Sequence, residues 1–162
     1  MNNILISDAT LREGNHAFDQ KITKRQIQDY CKDADNAGMS IIEVGHSYGL
    51  GASSIHAGFT LVSDTDMLET ARANISKGKL GIHLTPSFAT IKSDLKNALN
   101  LGVDVVSVAC HCTEADLSQK LIEFTRSSGK EAFGVLMMSH LVSPEILLEE
   151  AKKWNLMVLK LL

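Results

Sequence analysis

The chain has 162 residues, a length that one domain accounts for. Its 16 Lys and Arg stand against 19 Asp and Glu, a net charge of −3 that argues against the clustered basic face of a nucleic-acid binder. No apolar run approaches the roughly 20 residues of a membrane helix. Met1-Asn2-Asn3 ahead of Ile4–Ile6 does not open a signal peptide, and Cys31, Cys110 and Cys112 follow no disulfide framework, so the expected setting is the reduced cytoplasm.

Strand-like and helix-like patterns alternate from the start. Ile4-Leu5-Ile6 reads as a first strand running into a polar loop, Ser7 to His16. Thr23 stands three residues before Gln26, the spacing of a capping box, and Ile27, Tyr30, Cys31 and Ala34 then recur at helical spacing up to Gly38. Ile41, Ile42 and Val44 give a second strand; Met67, Leu68, Ala71 and Ile75 a second helix ending at Gly78. Leu80 to Leu84 is a third strand, followed by a helix through Ile91, Leu95, Ala98 and Leu99 to Gly102. Val103 to Ala109 is rich in β-branched valine and predicts a fourth strand. Thr113, three residues before Asp116, predicts a cap for a helix reaching Gly129. Phe133 to Met138 is a fifth strand, and Ser143-Pro144 opens a last helix with proline at its first position.

Five βα units in succession predict an α/β fold with parallel strands. An open doubly wound sheet and part of a (β/α)₈ TIM barrel both fit. Five of the six histidines, His16, His46, His83, His111 and His140, fall in or just after the C-terminal end of a strand, the face on which such proteins place their sites. Cys110-His111-Cys112 has no standard zinc spacing, and alternate residues of an extended chain point to opposite faces, so ordinary buried cysteines are expected. His46 to Gly51 superficially resembles a dinucleotide loop, but it lacks the third glycine and follows the wrong strand. Met137-Met138 reads as core and Lys152-Lys153 as a solvated helix end.

The densest constellation is Asp8-Ala9-Thr10-Leu11-Arg12-Glu13-Gly14-Asn15-His16. It gathers a guanidinium, carboxylates and an imidazole after one strand, the groups that chemistry on a 2-oxo acid needs. A divalent cation on oxygen and histidine ligands polarises the keto group, arginine stabilises an enolate, and histidine moves a proton.

The stretch Ile6 to Ala17 resembles the opening of 4-hydroxy-2-oxovalerate aldolases, members of the metal-dependent pyruvate lyase superfamily that includes hydroxymethylglutaryl-CoA lyase. The resemblance continues in Ile42-Glu43-Val44-Gly45-His46, in Gly49 to Ser54, in His111 to Asp116 and in Gly134 to His140, and spans about Ile4 to Lys153. It implies a TIM barrel that cleaves 4-hydroxy-2-oxopentanoate to pyruvate and acetaldehyde with Mn²⁺ or a similar ion, paired with an acylating acetaldehyde dehydrogenase. By the same resemblance, Arg12 binds the keto acid and stabilises its enolate, and His16 takes the proton of the 4-hydroxyl. Glu13 takes the place of an aspartate that ligates the metal and borders the substrate, one methylene longer. His46-Ser47-Tyr48 stands where the family usually has His-Gly-Asp.

A complete barrel takes about 250 residues, so the chain reads as one partial TIM-barrel lyase domain over 1–162, stopping after five to six βα units. The family's two histidine ligands, a substrate serine and a late tyrosine fall beyond Leu162. Open sheet edges of this kind favour association into a homo-oligomer, and an inactive fragment of such an aldolase is the alternative to an active enzyme. A related superfamily lyase or synthase with another acyl substrate is a further alternative. Where the family continues Met-Glu-Ser-Tyr-Gly-Ala, this chain reads Trp154-Asn155-Leu156-Met157-Val158. A one-base shift through the forced codons of Trp154 and Met157 restores the family's Met, Glu and Gly in register. Residues 154–162 are thus read as an out-of-frame tail, against the alternative that Leu156 to Leu162 form a genuine divergent sixth strand.

Overall fold

The computed structural model describes residues 5–159, with side chains as far as Trp154. Five strands, β1 (Ser7–Asp8), β2 (Ile41–Glu43), β3 (Lys79–Leu84), β4 (Val105–His111) and β5 (Glu131–Met137), form one sheet. Their order is β1-β2-β3-β4-β5 and every neighbouring pair is parallel. A doubly wound sheet reverses its strand order part-way. Strands laid side by side in chain order wind in one sense, as a barrel does, and the result is a curled half-barrel. Among the described residues, no helix is long and apolar enough to cross a membrane.

The connecting helices form for local reasons. α2 (Lys24–Asn36) starts in the expected capping box: the Thr23 hydroxyl accepts from the Gln26 N–H, and the Gln26 side chain accepts from the Thr23 N–H. It ends in a Schellman turn, in which Gly38 adopts φ +83° while the Met39 N–H reaches the Ala34 carbonyl. α3 (Asp64–Asn74) is capped by Ser63 and stops before Ile75, short of the expected Gly78. A π-turn over Ile91–Leu95 feeds α4 (Lys96–Asn100), and a 3₁₀ turn over Ala115–Ser118 feeds α5 (Gln119–Ser127). Thr113 caps neither of the last two; its hydroxyl pairs with His111 Nδ1 at 2.9 Å instead. After a 3₁₀ turn over Ser139–Leu141, α6 covers Pro144–Leu159.

Residues 154–159 therefore continue a helix, and the alternative of a sixth strand there is not what forms; 160–162 lie outside the described residues. Trp154 seats α6 on the sheet. Its indole lies where a Cβ on Gly134 would come within 2.5 Å, and its Nε1–H donates to Ser118 Oγ at 2.8 Å.

Alternation along the strands separates two faces. Ile42, Leu80, Ile82, Leu84, Val106 and Val108 join Ile27, Cys31, Met67, Leu68, Leu95 and Leu121 in one core between sheet and helices. The opposite, concave face carries polar groups: Ser7, Glu43 and Ser107 from three strands meet there. On the same face of β5, Phe133, Val135 and Met137 stay exposed. All three cysteines are free and buried, and burial pushes the Cys31 thiol up to about 12 and Cys110 up to about 11.

Asp35, buried near the end of α2, fixes the entry to β3. Its carboxylate accepts the N–H groups of Ser76, Lys77 and Gly78 and the Ser76 hydroxyl at 2.7–3.0 Å. Burial acts to raise its pKa, but the backbone donors outweigh it and hold the carboxyl well below the ordinary carboxylate range. A carboxyl that titrates lower folded than unfolded adds stability above the unfolded value, near pH 4, and loses it as pH falls from there. Urea unfolding should show Asp35→Asn destabilised by about 2 kcal/mol at pH 7, the scale of hydrogen bonds to a charged acceptor. The gap to the unchanged chain should narrow as pH falls below about 4.

Candidate active site

From Thr10 onward the Asp8–His16 stretch is a helix and not the expected loop. α1 (Thr10–Ala17) begins directly after β1. Asp8 anchors it: Oδ1 accepts the Thr10 N–H at 3.0 Å and its hydroxyl at 2.6 Å, while Oδ2 accepts the Tyr30 hydroxyl at 2.7 Å. Burial pushes the Asp8 carboxyl up, but those donors prevail and leave it lowered. Asn15, buried in the same helix, donates to the Gly45 carbonyl at 3.2 Å and accepts the Ile22 N–H at 3.3 Å. With one face pinned in this way, Arg12 and His16, four residues apart, share another face.

Arg12 lies deepest. Its Nε donates to Glu43 Oε2 at 3.0 Å, and Nη1 donates to the Ser47 carbonyl at 3.1 Å and meets Glu13 Oε1 at 2.7 Å. Both side chains of the Arg12–Glu43 pair are nearly buried, 12% and 8% exposed. The second Glu43 oxygen accepts the Ser107 hydroxyl at 3.0 Å and that of Ser7 at 3.4 Å. Glu43 fits because β3 has a glycine beside it: a Cβ on Gly81 would lie 3.1 Å from Glu43 Cγ and 2.8 Å from Ile41 Cγ2. Among the described residues, nothing hydrogen-bonds Arg12 Nη2, so one edge of the fork remains for a ligand.

Arg12, Glu13 and His16 line one open cavity of about 490 Å³ together with Tyr48, His83 and Phe88. Two other hollows, of about 390 and 560 Å³, are formed with α2 and contain none of these charged or imidazole groups. The histidine rim divides. His16 and His83 face the cavity. His46 is fully buried, with Nδ1 accepting the Tyr48 N–H at 3.0 Å and Nε2 donating to the Gly58 carbonyl at 3.1 Å, so it is structural. His111 pairs with Thr113, and His140 is exposed on a 3₁₀ turn. The sequence marked His83 only as a member of that rim and Glu43 only within the motif Ile42-Glu43-Val44-Gly45-His46. The available signal for Glu43 was a carboxylate inside the apolar run Ile41-Ile42-Glu43-Val44, which requires a buried partner.

The metal expectation meets a limited donor set. Glu13 is 58% exposed and engaged with Arg12, and no three His, Cys, Asp or Glu side chains converge among the described residues. These residues alone do not form a cation site. His83 is lowered from its ordinary 6.5, first by burial and then by the nearby Arg12 charge. Histidine ¹⁵N NMR should place its midpoint below 6.5, and Arg12→Gln should move that midpoint upward.

Known proteins point the same way. The HMGL-like family matches residues 3–154. The chain is 52% identical over 150 residues to the 4-hydroxy-2-oxovalerate aldolases of Pectobacterium atrosepticum and of Spirochaeta aurantia, covering 93% of this chain and 44% of each relative. Against the 4-hydroxy-2-oxovalerate aldolase of Burkholderia pseudomallei it is 53% identical over 149 residues, 92% of this chain and 43% of the relative. The chain thus spans less than half the length of these curated relatives. A crystal structure of the N-terminal domain of an assigned aldolase from Bacteroides vulgatus superposes with a TM-score of 0.70 at 19% identity, over 88% of this chain and 48% of that one, and supports the fold alone.

Proposed function

The chain belongs to the HMGL-like family, and from that premise we propose that it is the 2-oxo-acid-binding half-barrel of an aldolase that cleaves a 4-hydroxy-2-oxo acid, such as 4-hydroxy-2-oxopentanoate, to pyruvate and an aldehyde. The observation that carries this reading is the free Nη2 edge of a guanidinium locked by Glu43, in the same cavity as His16. His16 accepts the proton of the 4-hydroxyl as the bond between the third and fourth carbons breaks, and the aldehyde departs. The bonding electrons pass to the keto group as an enolate, which the Arg12 charge stabilises, and protonation of the enolate gives pyruvate. Arg12 serves this role better pre-oriented, because a donor already fixed does not reorganise as charge develops.

A divalent cation such as Mn²⁺ supplies polarisation of the keto oxygen when bound. Glu13 offers one oxygen donor beside Arg12 and does not make that site by itself, so the steps above run through Arg12 and His16. Pairing with an acylating acetaldehyde dehydrogenase belongs to the same proposal through the family resemblance, and a reduced cytoplasmic setting through cysteines that follow no disulfide framework. A second reading, that the 162-residue chain alone is non-catalytic, is favoured by that single donor.

Two measurements test these readings. Calorimetric titration with oxalate, an enolate mimic, should show binding that Arg12→Ala weakens by about tenfold or more; affinity indifferent to Arg12 contradicts the proposal. Pyruvate release from 4-hydroxy-2-oxopentanoate with added Mn²⁺, above a His16→Ala control, makes the chain itself catalytic. Release no greater than that control selects the second reading.

A further inference from the structure

Tyr48 touches three other rings. Its centroid lies 4.8 Å from that of His16 with the planes at 86°, 5.7 Å from His46 at 29°, and 6.3 Å from Phe88 at 41°. It is held from behind: His46 is fully buried and locked between the Tyr48 N–H and the Gly58 carbonyl. The loop has no room to retreat either. Gly49 sits at φ +100°, and a Cβ there would fall 2.7 Å from the His83 carbonyl oxygen. Yet Tyr48 and Phe88 remain 47% and 39% exposed on the cavity wall, and among the described residues nothing hydrogen-bonds the Tyr48 hydroxyl. Two rigidly backed aromatic rings facing a cavity offer apolar surface that a ligand gains by covering.

The proposed function says which part of the ligand reaches them, and the inference rests on that reading. With His16 at the 4-hydroxyl, the substituent on the same carbon lies beside the ring 4.8 Å away. We infer that Tyr48, backed by Phe88, is the specificity-determining residue for the leaving aldehyde, favouring a 4-hydroxy-2-oxo acid whose fourth carbon carries a flat apolar group such as phenyl over one carrying methyl. Tyr48 moves no proton or electron pair; it acts by surface contact alone.

The test compares calorimetric binding of 4-hydroxy-2-oxopentanoate and 4-hydroxy-2-oxo-4-phenylbutanoate to the 162-residue chain. The phenyl ligand should bind about tenfold tighter, the scale of one aromatic contact with its buried area. Tyr48→Ala should bring the two affinities together while Tyr48→Phe keeps them apart. Phe88→Ala, read independently should Tyr48→Ala fail to fold, should narrow the gap. Equal affinities in the unchanged chain overturn the inference, as does a preference that survives both alanine variants. If neither ligand binds, or Arg12→Ala leaves both affinities unchanged, the proposed function fails and this inference with it.

Discussion

A charged pair on the concave face of the sheet, Arg12 with Glu43, sets the geometry of everything around it. Removing two ions from water costs more than their attraction returns unless the remaining donors and acceptors are met. Here they are met: Ser7 and Ser107 take one Glu43 oxygen, and Ser47 and Glu13 take Arg12 Nη1. The pair reaches from α1 to β2, and the hydroxyls extend it to β1 and β4, so a helix following the first strand is tied across the half-barrel. Gly81 gives Glu43 its space on the adjacent strand.

The proposed function rests on what this arrangement leaves over. A guanidinium with its Nε–H on Glu43 and an Nη1–H on the Ser47 carbonyl is held in place, and its unpaired edge is presented beside an imidazole one helical turn away. A flexible arginine on a loop loses conformational freedom on binding a carboxylate or an enolate; Arg12 has lost it on folding. The loop after β2 adds the next layer. Gln20 holds Ser47 through both its carbonyl oxygen and its amide, His46 holds Tyr48, and Tyr48 closes one side of His16. The aromatic wall and the charged floor thus depend on the same short segment, Gly45 to Gly51.

Much of the fold was legible because it is written in local rules. Thr23 with Gln26, Gly38 and Ser143-Pro144 name helix ends by short-range hydrogen bonding and backbone freedom, and each end forms. The pattern of elements alone does not choose between barrel and doubly wound sheet, since strand order depends on contacts between distant segments; the family resemblance supplied the barrel, and the strand order β1-β2-β3-β4-β5 agrees with it. Thr10 to His16 reads as a loop because Gly14 and Asn15 are poor helix interior residues; the tertiary anchor on Asn15 and the Asp8 carboxylate at the helix entry override that propensity. Thr113 was misread for a related reason, because a neighbouring His111 took its hydroxyl. The residues that gather around Arg12 come from four separate strands and loops, and spacing within one segment cannot reveal that Glu43 and His83 converge with it. Family resemblance supplied Arg12, Glu13 and His16 and marked Tyr48 only as a departure from the family's His-Gly-Asp, whereas the parts played by Ser107 and Gly81 emerge only from the folded arrangement.

The claim that the Arg12–Glu43 pair organises this face is tested most directly by a double-mutant cycle on stability, with Arg12→Met, Glu43→Gln and the two combined, followed by urea unfolding. Each single change strands a buried charge or its donors, and the combination relieves part of that penalty. A coupling of about 2 kcal/mol is predicted. Two effects that simply add would show that the residues act independently, and would contradict the account.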